Sequence, residues 1–153
     1  LNTIFGGYFG ARLMSNLRED KGYTYGIYSQ INPQEMATKL TISAEVGADV
    51  TQNALNEIRN EIRRLQDEKV PSRELNIVKN YLAGSYAQAL DGVFSKALRL
   101  RNLTPQGMNL DYYNRLLQQI HETDADKIRV MALKYLSTDD MLTVVAGKNQ
   151  TLS

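Results

Sequence analysis

Arg18 and Tyr25 are the two side chains whose types and spacing could do chemistry together. Leu13 and Leu17, four residues apart, predict a helix that Arg18 closes, and Tyr25 comes early in the strand predicted next. Gly22 lets the chain turn sharply between them. Two polar side chains that converge from a helix end and a strand start could donate hydrogen bonds to one carbonyl oxygen. The alternative, which the residues alone favour, is a helix C-terminal arginine beside a tyrosine at the edge of the core.

The histidine and cysteine content excludes zinc catalysis by this chain alone. A catalytic zinc ion takes three protein ligands, mostly histidines, and the sequence has 1 histidine, His121, and no cysteine. Neither H-E-x-x-H nor the inverted H-x-x-E-H can be formed from one histidine. His121 precedes Glu122 at the end of a predicted helix, and we interpret it as a surface or cap-adjacent residue. No residue of this chain is therefore predicted to bind metal.

Other catalytic and binding signatures are also missing from the sequence. There is no G-x-S-x-G element for a serine nucleophile, and no G-x-G-x-x-G or G-K-[ST] loop for a phosphate. Acidic pairs such as Asp139 with Asp140 stand where turns and helix starts favour acids, so capping is the preferred interpretation. No apolar run approaches the roughly 18 residues that would span a bilayer. We therefore expect no membrane association.

The charged residues do not predict a nucleic-acid partner. Lysine and arginine number 18 against 17 acidic residues, which gives a formal net charge of +1. Arg59, Arg63 and Arg64 alternate with Glu57 and Glu61. We interpret this alternation as the solvated, ion-paired outer face of a helix rather than a nucleic-acid-binding stripe.

The first third of the chain must supply the elements that position Arg18 and Tyr25. Residues 1–20 begin with small residues and are predicted to become helical, and residues 23–30 and 38–46 are predicted strands joined by a turn at 32–35. The two strands are expected to form a hairpin. Glycines in the first helix are costly, so we expect them to allow close approach of another backbone or of a ligand.

The remaining residues predict mainly helices. Apolar residues spaced three and four apart indicate helices near 55–65, 75–90, 112–122 and 126–135, with a less regular stretch at 91–110. A last strand is predicted from Met141 to Ala146. This order predicts an α+β fold with an antiparallel-rich sheet and several helices packed on one face, in a single domain over residues 1–153.

A run of motifs around Arg18 carries a family resemblance: Leu1-Asn2, Phe5-Gly6-Gly7-Tyr8-Phe9-Gly10-Ala11-Arg12-Leu13, Asn16-Leu17-Arg18-Glu19 and Gly22-Tyr23-Thr24-Tyr25. The run resembles a signature of the pitrilysin, insulin-degrading and mitochondrial processing peptidases, the inverzincin zinc metallopeptidases. In that family one half carries H-x-x-E-H and a downstream glutamate. The homologous half lacks the metal ligands and keeps "G-G-x-F-x-S-R-L … N-x-R-E … G-x-x-Y". This chain is similar to the second, non-catalytic half, with Ala11 where the family often has serine.

The resemblance implies partners and site residues. Zinc is expected in a homologous partner half, on the same polypeptide or on a separate subunit, and a peptide is the expected substrate. Arg18 and Tyr25 match the arginine and tyrosine that reach the substrate near the metal, with Tyr23 and Arg12 as secondary candidates. The strand that precedes the first helix in the family is not present, so we expect a fragment of a larger chain that lacks its first strand.

Two functions are consistent with this resemblance. The first is the substrate-contacting, non-catalytic half of a zinc metallopeptidase that degrades or processes peptides. The second is a non-enzymatic assembly or regulatory subunit of the same fold. Arg18 and Tyr25 together favour the first, because a pure scaffold does not need the pair. The sequence does not fix the compartment, and we expect a soluble protein of the periplasm or the cytoplasm.

Overall fold

The structure is a computed structural model that describes residues 1–34 and 36–147, with backbone only at position 106. The chain divides into two compact units, the first formed by residues 1–70 with the segment from Asp126 onward, and the second by residues 71–125. Arg18 and Tyr25 both belong to the first unit.

A two-stranded antiparallel hairpin forms the sheet of the first unit. Its strands are β1 (Thr24–Pro33) and β2 (Thr38–Val46), paired from Pro33 with Thr38 back to Ile27 with Ala44. The predicted hairpin is confirmed, although β1 continues through part of the predicted turn at 32–35. Residue 35 of that turn lies outside the described residues.

Helical segments make up most of the rest of the described chain. In chain order they are α1 (Asn2–Phe5), a π-helical segment (Met14–Asp20), a 3-10 turn (Ala48–Val50), α2 (Thr51–Asp67), α3 (Ser72–Ala89), α4 (Val93–Leu103), a 3-10 turn (Thr104–Gln106), α5 (Asp111–Glu122) and α6 (Ala125–Tyr135). The helices predicted near 55–65, 75–90, 112–122 and 126–135 are confirmed as α2, α3, α5 and α6. The mixed α+β class is confirmed as well.

The core of the first unit lies between α1, the π-helical segment, β1 and α2. Phe5, Leu17 and Ile27 are fully buried there. From α2 the stripe of Ile58, Ile62 and Leu65 is buried, as its spacing of three and four residues predicts. Each such side chain contributes about 1.5–3 kcal/mol when it leaves water. The π-helical segment that carries Arg18 is thus anchored in this core through Leu17.

Gly6 allows close approach of the chain to β1. A Cβ atom at this position would lie 2.7 Å from the Ser29 hydroxyl oxygen and 2.9 Å from the Ser29 nitrogen. The Ser29 N–H donates a hydrogen bond to the Gly6 carbonyl at 2.9 Å. The expectation that a glycine of the first segment allows another backbone to approach is confirmed here.

The second unit is helical. Leu75 and Val78 of α3 are buried, as is Tyr113 of α5, whose ring centroid lies 6.1 Å from that of Tyr86. Burial raises the pKa of Tyr86 above its ordinary value, and the neighbouring tyrosines act in the same direction. Helix α4 falls in the stretch at 91–110 that the sequence predicted to be less regular.

The predicted strand from Met141 to Ala146 is wrong. Within residues 1–34 and 36–147, the sheet has two strands, and the 141–146 segment has no assigned strand. It lines a groove of about 440 Å³ together with Ile42 of β2 and Leu55 of α2. Leu142 and Val144 are largely exposed. A β-branched run forms a strand only where a neighbouring backbone offers ladder hydrogen bonds, and among the described residues the 141–146 segment pairs with no strand.

Candidate functional site

A β-bulge directs Tyr25 outward at the start of β1. The pairs Thr24–Val46 and Ile27–Ala44 leave Tyr25 and Gly26 opposite the single residue Glu45. In a regular strand, residues three apart lie on opposite faces, yet Thr24 and Ile27 are both buried. The extra residue accounts for this and leaves the Tyr25 side chain 89% exposed.

Thr24 closes this bulge with its hydroxyl group. Its Oγ1 lies 2.6 Å from the Glu45 carbonyl oxygen and 2.8 Å from the Gly26 carbonyl oxygen, and accepts a hydrogen bond from the Gly26 N–H at 3.1 Å. The Ile27 N–H donates to the thioether sulfur of Met14, 3.3 Å away. Thioether sulfur is a weak acceptor, but this contact joins the bulged strand directly to the π-helical segment that carries Arg18.

Arg18 lies over two aromatic rings. Its guanidinium carbon is 4.8 Å from the centroid of Phe9 and 5.0 Å from that of Tyr25. Such cation–π contacts contribute about 0.5–1 kcal/mol each at exposed sites. These contacts restrain the guanidinium group, but the face of a ring does not take the place of an oxygen acceptor for its N–H groups. In the described part of the chain no carboxylate is paired with Arg18, so its N–H groups are available to an oxygen of a ligand.

Phe9 is the member of this cluster that sequence reasoning missed. It is 57% exposed and follows the glycine pair that precedes Arg12. An aromatic residue placed inside a small-residue stretch, where no helix face needs it, was the available signal. We refer to Phe9, Arg18 and Tyr25 as the aromatic–arginine cluster.

Gly22 makes the turn from the π-helical segment into β1. Its φ of +65° is in the left-handed region that glycine adopts at no steric cost. The Tyr23 N–H then donates to the Leu17 carbonyl at 2.8 Å, and the Lys21 N–H donates to the Asn16 carbonyl at 3.0 Å. These bonds satisfy carbonyls at the helix end. The predicted role of Gly22 as the sharp turn between Arg18 and Tyr25 is confirmed.

Replacing Gly22 with alanine is expected to reduce the local free energy of unfolding by about 1–2 kcal/mol, because an L-residue is strained at this φ. Hydrogen exchange of the β1 amides, compared between the variant and the unaltered protein, measures this loss of local stability. Gly84, inside α3 with open space around its Cα, is the matched control. Gly84→Ala should slow exchange in α3 by gaining about 1 kcal/mol of helix propensity. Equal effects of the two changes would contradict the assigned turn.

Metal ligands are not grouped in the part of the chain that the structure describes. In residues 1–34 and 36–147, no cluster of three or more histidine, cysteine, aspartate or glutamate side chains could hold a metal ion. His121 is exposed at the end of α5. The Lys79 ammonium donates a hydrogen bond to its carbonyl oxygen at 2.8 Å. The donor set described here does not fit zinc.

Residues 1–82 match the family described as the peptidase M16 inactive domain. They are more than half of the 153 residues, and they include the aromatic–arginine cluster, the π-helical segment and the hairpin. The chain belongs to the peptidase M16 inactive-domain family. This M16 inactive domain is therefore a non-catalytic half of a zinc-protease-like protein, as the motifs around Arg18 indicated.

Three known proteins are similar to this M16 inactive domain over most of its length. It is 26% identical over 149 residues to a Bacillus subtilis protein named "Uncharacterized zinc protease YmxG", covering 95% of this chain and 36% of the relative. It is 21% identical to a Helicobacter pylori protein named "Non-peptidase homolog YmxG", covering 96% of this chain and 34% of the relative. The chain thus spans about a third of these curated relatives. A crystal structure of a peptidase M16 inactive domain from Pseudomonas fluorescens superimposes with a TM-score of 0.77 at 27% identity, covering 90% of this chain and 33% of the other.

The secondary candidates of this M16 inactive domain, Arg12 and Tyr23, are less exposed than Tyr25. Arg12 is half-buried in the turn of chain that precedes the π-helical segment. Tyr23 is half-buried between Gly22 and β1, where its backbone closes the helix end. Among the described residues, the rings in contact with Arg18 are those of Phe9 and Tyr25. The ring contacts of Arg18 therefore group the two primary candidates and do not include the Tyr23 ring.

The interpretation of Glu57 and Glu61 as part of a solvated outer face is wrong. Glu61 is 1% exposed, and Glu57 is half-buried. Both carboxylates face Asn16 in the π-helical segment, whose side-chain nitrogen lies 2.7 Å from Glu61 and 3.1 Å from Glu57. Arg63 and Arg64 are exposed as expected. The local spacing of Glu57 and Glu61 does not reveal their burial, because the segment that covers them lies about 40 residues earlier in the chain.

One further finding concerns the membrane. Across the described residues, no helix is both long enough and apolar enough to cross a bilayer.

Proposed function

We propose that this chain is the substrate-contacting half of a zinc metallopeptidase that degrades or processes peptides. The complete protein then includes this chain and a homologous zinc-binding half, on the same polypeptide or as a separate subunit. The observation that carries the proposal is Arg18, held over Phe9 and Tyr25 with no carboxylate partner among the described residues. A restrained arginine with available N–H groups beside an exposed tyrosine hydroxyl suits an anionic or carbonyl oxygen.

Arg18 and Tyr25 act on the substrate rather than on the metal. Arg18 donates in-plane N–H groups to the carbonyl oxygen of the bond to be cleaved, and the Tyr25 hydroxyl donates from the neighbouring strand. Negative charge develops on that oxygen during hydrolysis, so fixed donors stabilise the transition state more than the ground state. Zinc in the partner half would polarise the carbonyl and supply an activated water. Tyr23 and Arg12 are kept as secondary contacts to the peptide.

A non-enzymatic assembly or regulatory subunit is the second candidate. It is favoured by the Helicobacter pylori relative, whose name calls it a non-peptidase homolog. In that case the aromatic–arginine cluster would bind a peptide or contact a partner half without turnover. The two candidates differ in one measurable property, which is metal-dependent hydrolysis by the complete protein.

Removal of zinc from the complete protein tests the choice. We expect hydrolysis of an unstructured, internally quenched peptide to fall to background when the metal is chelated, and to return when Zn²⁺ is added back. Readdition of Mg²⁺ is the control, because it prefers oxygen ligands in an octahedral geometry. A zinc-loaded complete protein that cleaves no peptide from a sequence-diverse library would instead support the non-enzymatic subunit.

A further inference from the structure

Glu61 is a charged group buried inside the first unit. Its side chain is 1% exposed and lies 2.8 Å from the Arg64 guanidinium and 2.7 Å from the side-chain nitrogen of Asn16. A buried carboxylate is costly unless it is paired and hydrogen-bonded. Arg64 could pair with it on the helix surface without burying it, since the two are three residues apart on α2. The contact that requires burial is the one with Asn16.

Asn16 uses both hydrogens of its amide to attach the π-helical segment to α2. Its Nδ2 donates to Glu61 Oε1 at 2.7 Å and to Glu57 Oε2 at 3.1 Å. Hydrogen bonds to charged acceptors contribute about 1.5–3 kcal/mol, more than neutral ones. Two carboxylates from successive turns of α2 thus fix the rotation of Asn16 about the helix axis.

Lys21 attaches the other end of the same turn. Its ammonium nitrogen lies 3.8 Å from Glu57 Oε1, and its backbone N–H donates to the Asn16 carbonyl across five residues. That five-residue bond is the defining contact of a π-helix, which is rare and is frequently found at functional sites. Asn16 and Lys21 are therefore joined to each other through the backbone and to α2 through the shared carboxylate of Glu57.

Arg18 lies between these two attachment points and faces a different side. Residues two apart on a helix do not face each other, so Asn16 is directed to α2 while Arg18 is directed to Phe9 and Tyr25. If the attachment through Asn16 is lost, the longer Lys21–Glu57 contact is the side-chain support that the five-residue bond keeps. Relaxation to four-residue α-helical bonding would rotate every later position of the segment, Arg18 included.

We propose that Asn16 and Glu61 are positioning residues that hold Arg18 against Phe9 and Tyr25. Glu57 supports Asn16 from the preceding turn of α2, and we refer to the contacts of Asn16 with Glu61 and Glu57 as the clamp. The clamp itself is a property of this chain's fold. Its effect on turnover rests on the proposed function, because only then does Arg18 contact a reacting substrate.

Nuclear magnetic resonance of the complete protein, labelled at arginine, tests the position of Arg18 directly. Its side-chain Nε–H signal, assigned by its absence in Arg18→Lys, should carry a ring-current shift from Phe9 and Tyr25. We expect Asn16→Leu, which keeps a similar volume and removes the amide, to abolish this shift. The exposed Asn60 of α2 supplies the matched control, and Asn60→Leu should leave the shift intact.

Glu61 gives a second, conservative test in case Asn16→Leu does not fold. Glu61→Gln keeps an oxygen that can accept from Asn16 and should retain most of the Arg18 shift. Asn16→Ser removes the amide without adding bulk and should lose the shift as Asn16→Leu does. A folded Asn16→Ser or Asn16→Leu protein with an unchanged Arg18 signal would overturn the proposal.

A double-mutant cycle separates this proposal from the proposed function. Asn16→Leu should lower kcat in the wild-type background and have no further effect on kcat when Arg18 is already alanine. A general structural role would give the same fold-loss in both backgrounds and overturn the positioning role. If Arg18→Ala alone leaves turnover unchanged, the proposed function fails, while the position of the Arg18 signal still decides whether the clamp exists.

Discussion

Replacing Arg18 with alanine is expected to lower kcat for peptide hydrolysis by the complete protein by about 100- to 1,000-fold, the effect of removing one donor to a developing oxyanion. The zinc content should stay unchanged, because the described part of this chain holds no metal-ligand cluster. Steady-state kinetics together with metal analysis of the same samples provide the measurement. KM should change less than kcat if the interaction is made mainly in the transition state.

Arg63 is the matched control for Arg18, since it is exposed on α2 and in the same unit. Arg63→Ala should keep wild-type kcat and zinc content. Tyr25→Phe then separates the hydroxyl from the ring, because phenylalanine can still contact the Arg18 guanidinium. Wild-type turnover in a combined Arg18→Ala, Tyr25→Phe protein would show that neither side chain serves the substrate.

The sequence predicted the parts of the site that depend on local spacing. Gly22 punctuates a helix and a strand, and residues 38–46 alternate as a strand of a hairpin does, so the turn and the pairing could be inferred from neighbours. The resemblance around Arg18 pointed to the family that the match over residues 1–82 then established. The roles of Arg18 and Tyr25 in substrate binding stay predictions.

The bulge at Tyr25 could not be predicted in the same way. A bulge is defined by two residues opposite one on the partner strand, so it depends on register between Thr24 and Val46, which are 22 positions apart. A simple alternation from Tyr23 to Gln30 would place Thr24 and Ile27 on opposite faces. The outward direction of Tyr25 is thus a tertiary property, although its residue type is visible in the sequence.

The burial of Glu61 was hidden for a similar reason. Acids and arginines three and four apart on a helix are the usual signature of a solvated face, and α2 shows that spacing. Burial here arises from Asn16, 45 residues earlier, which supplies the donor that makes a buried carboxylate tolerable. Helix α4 was not predicted because apolar residues, Val93 and Phe94 among them, also lie on its exposed side. The single apolar stripe by which a helix is recognised is therefore not distinct in its sequence.

Leu17→Ala is expected to reduce the free energy of unfolding of the first unit by about 2.7–5 kcal/mol, the range for a leucine whose removal leaves a cavity. Leu17 is fully buried in the π-helical segment, directly between Asn16 and Arg18. Hydrogen exchange of β1 and α2 amides in the complete protein measures the change locally, which avoids assuming two-state unfolding of a large protein.

Leu98, half exposed on α4, provides the matched leucine. Leu98→Ala should change stability by less than about 0.5 kcal/mol, as surface replacements usually do. Similar exchange rates in the two variants would contradict the packing beneath the π-helical segment. A large loss for Leu17 with a preserved Arg18 ring-current shift would show that the core supplies stability while Asn16 and the α2 carboxylates supply direction, because packing is non-directional and hydrogen bonds are not.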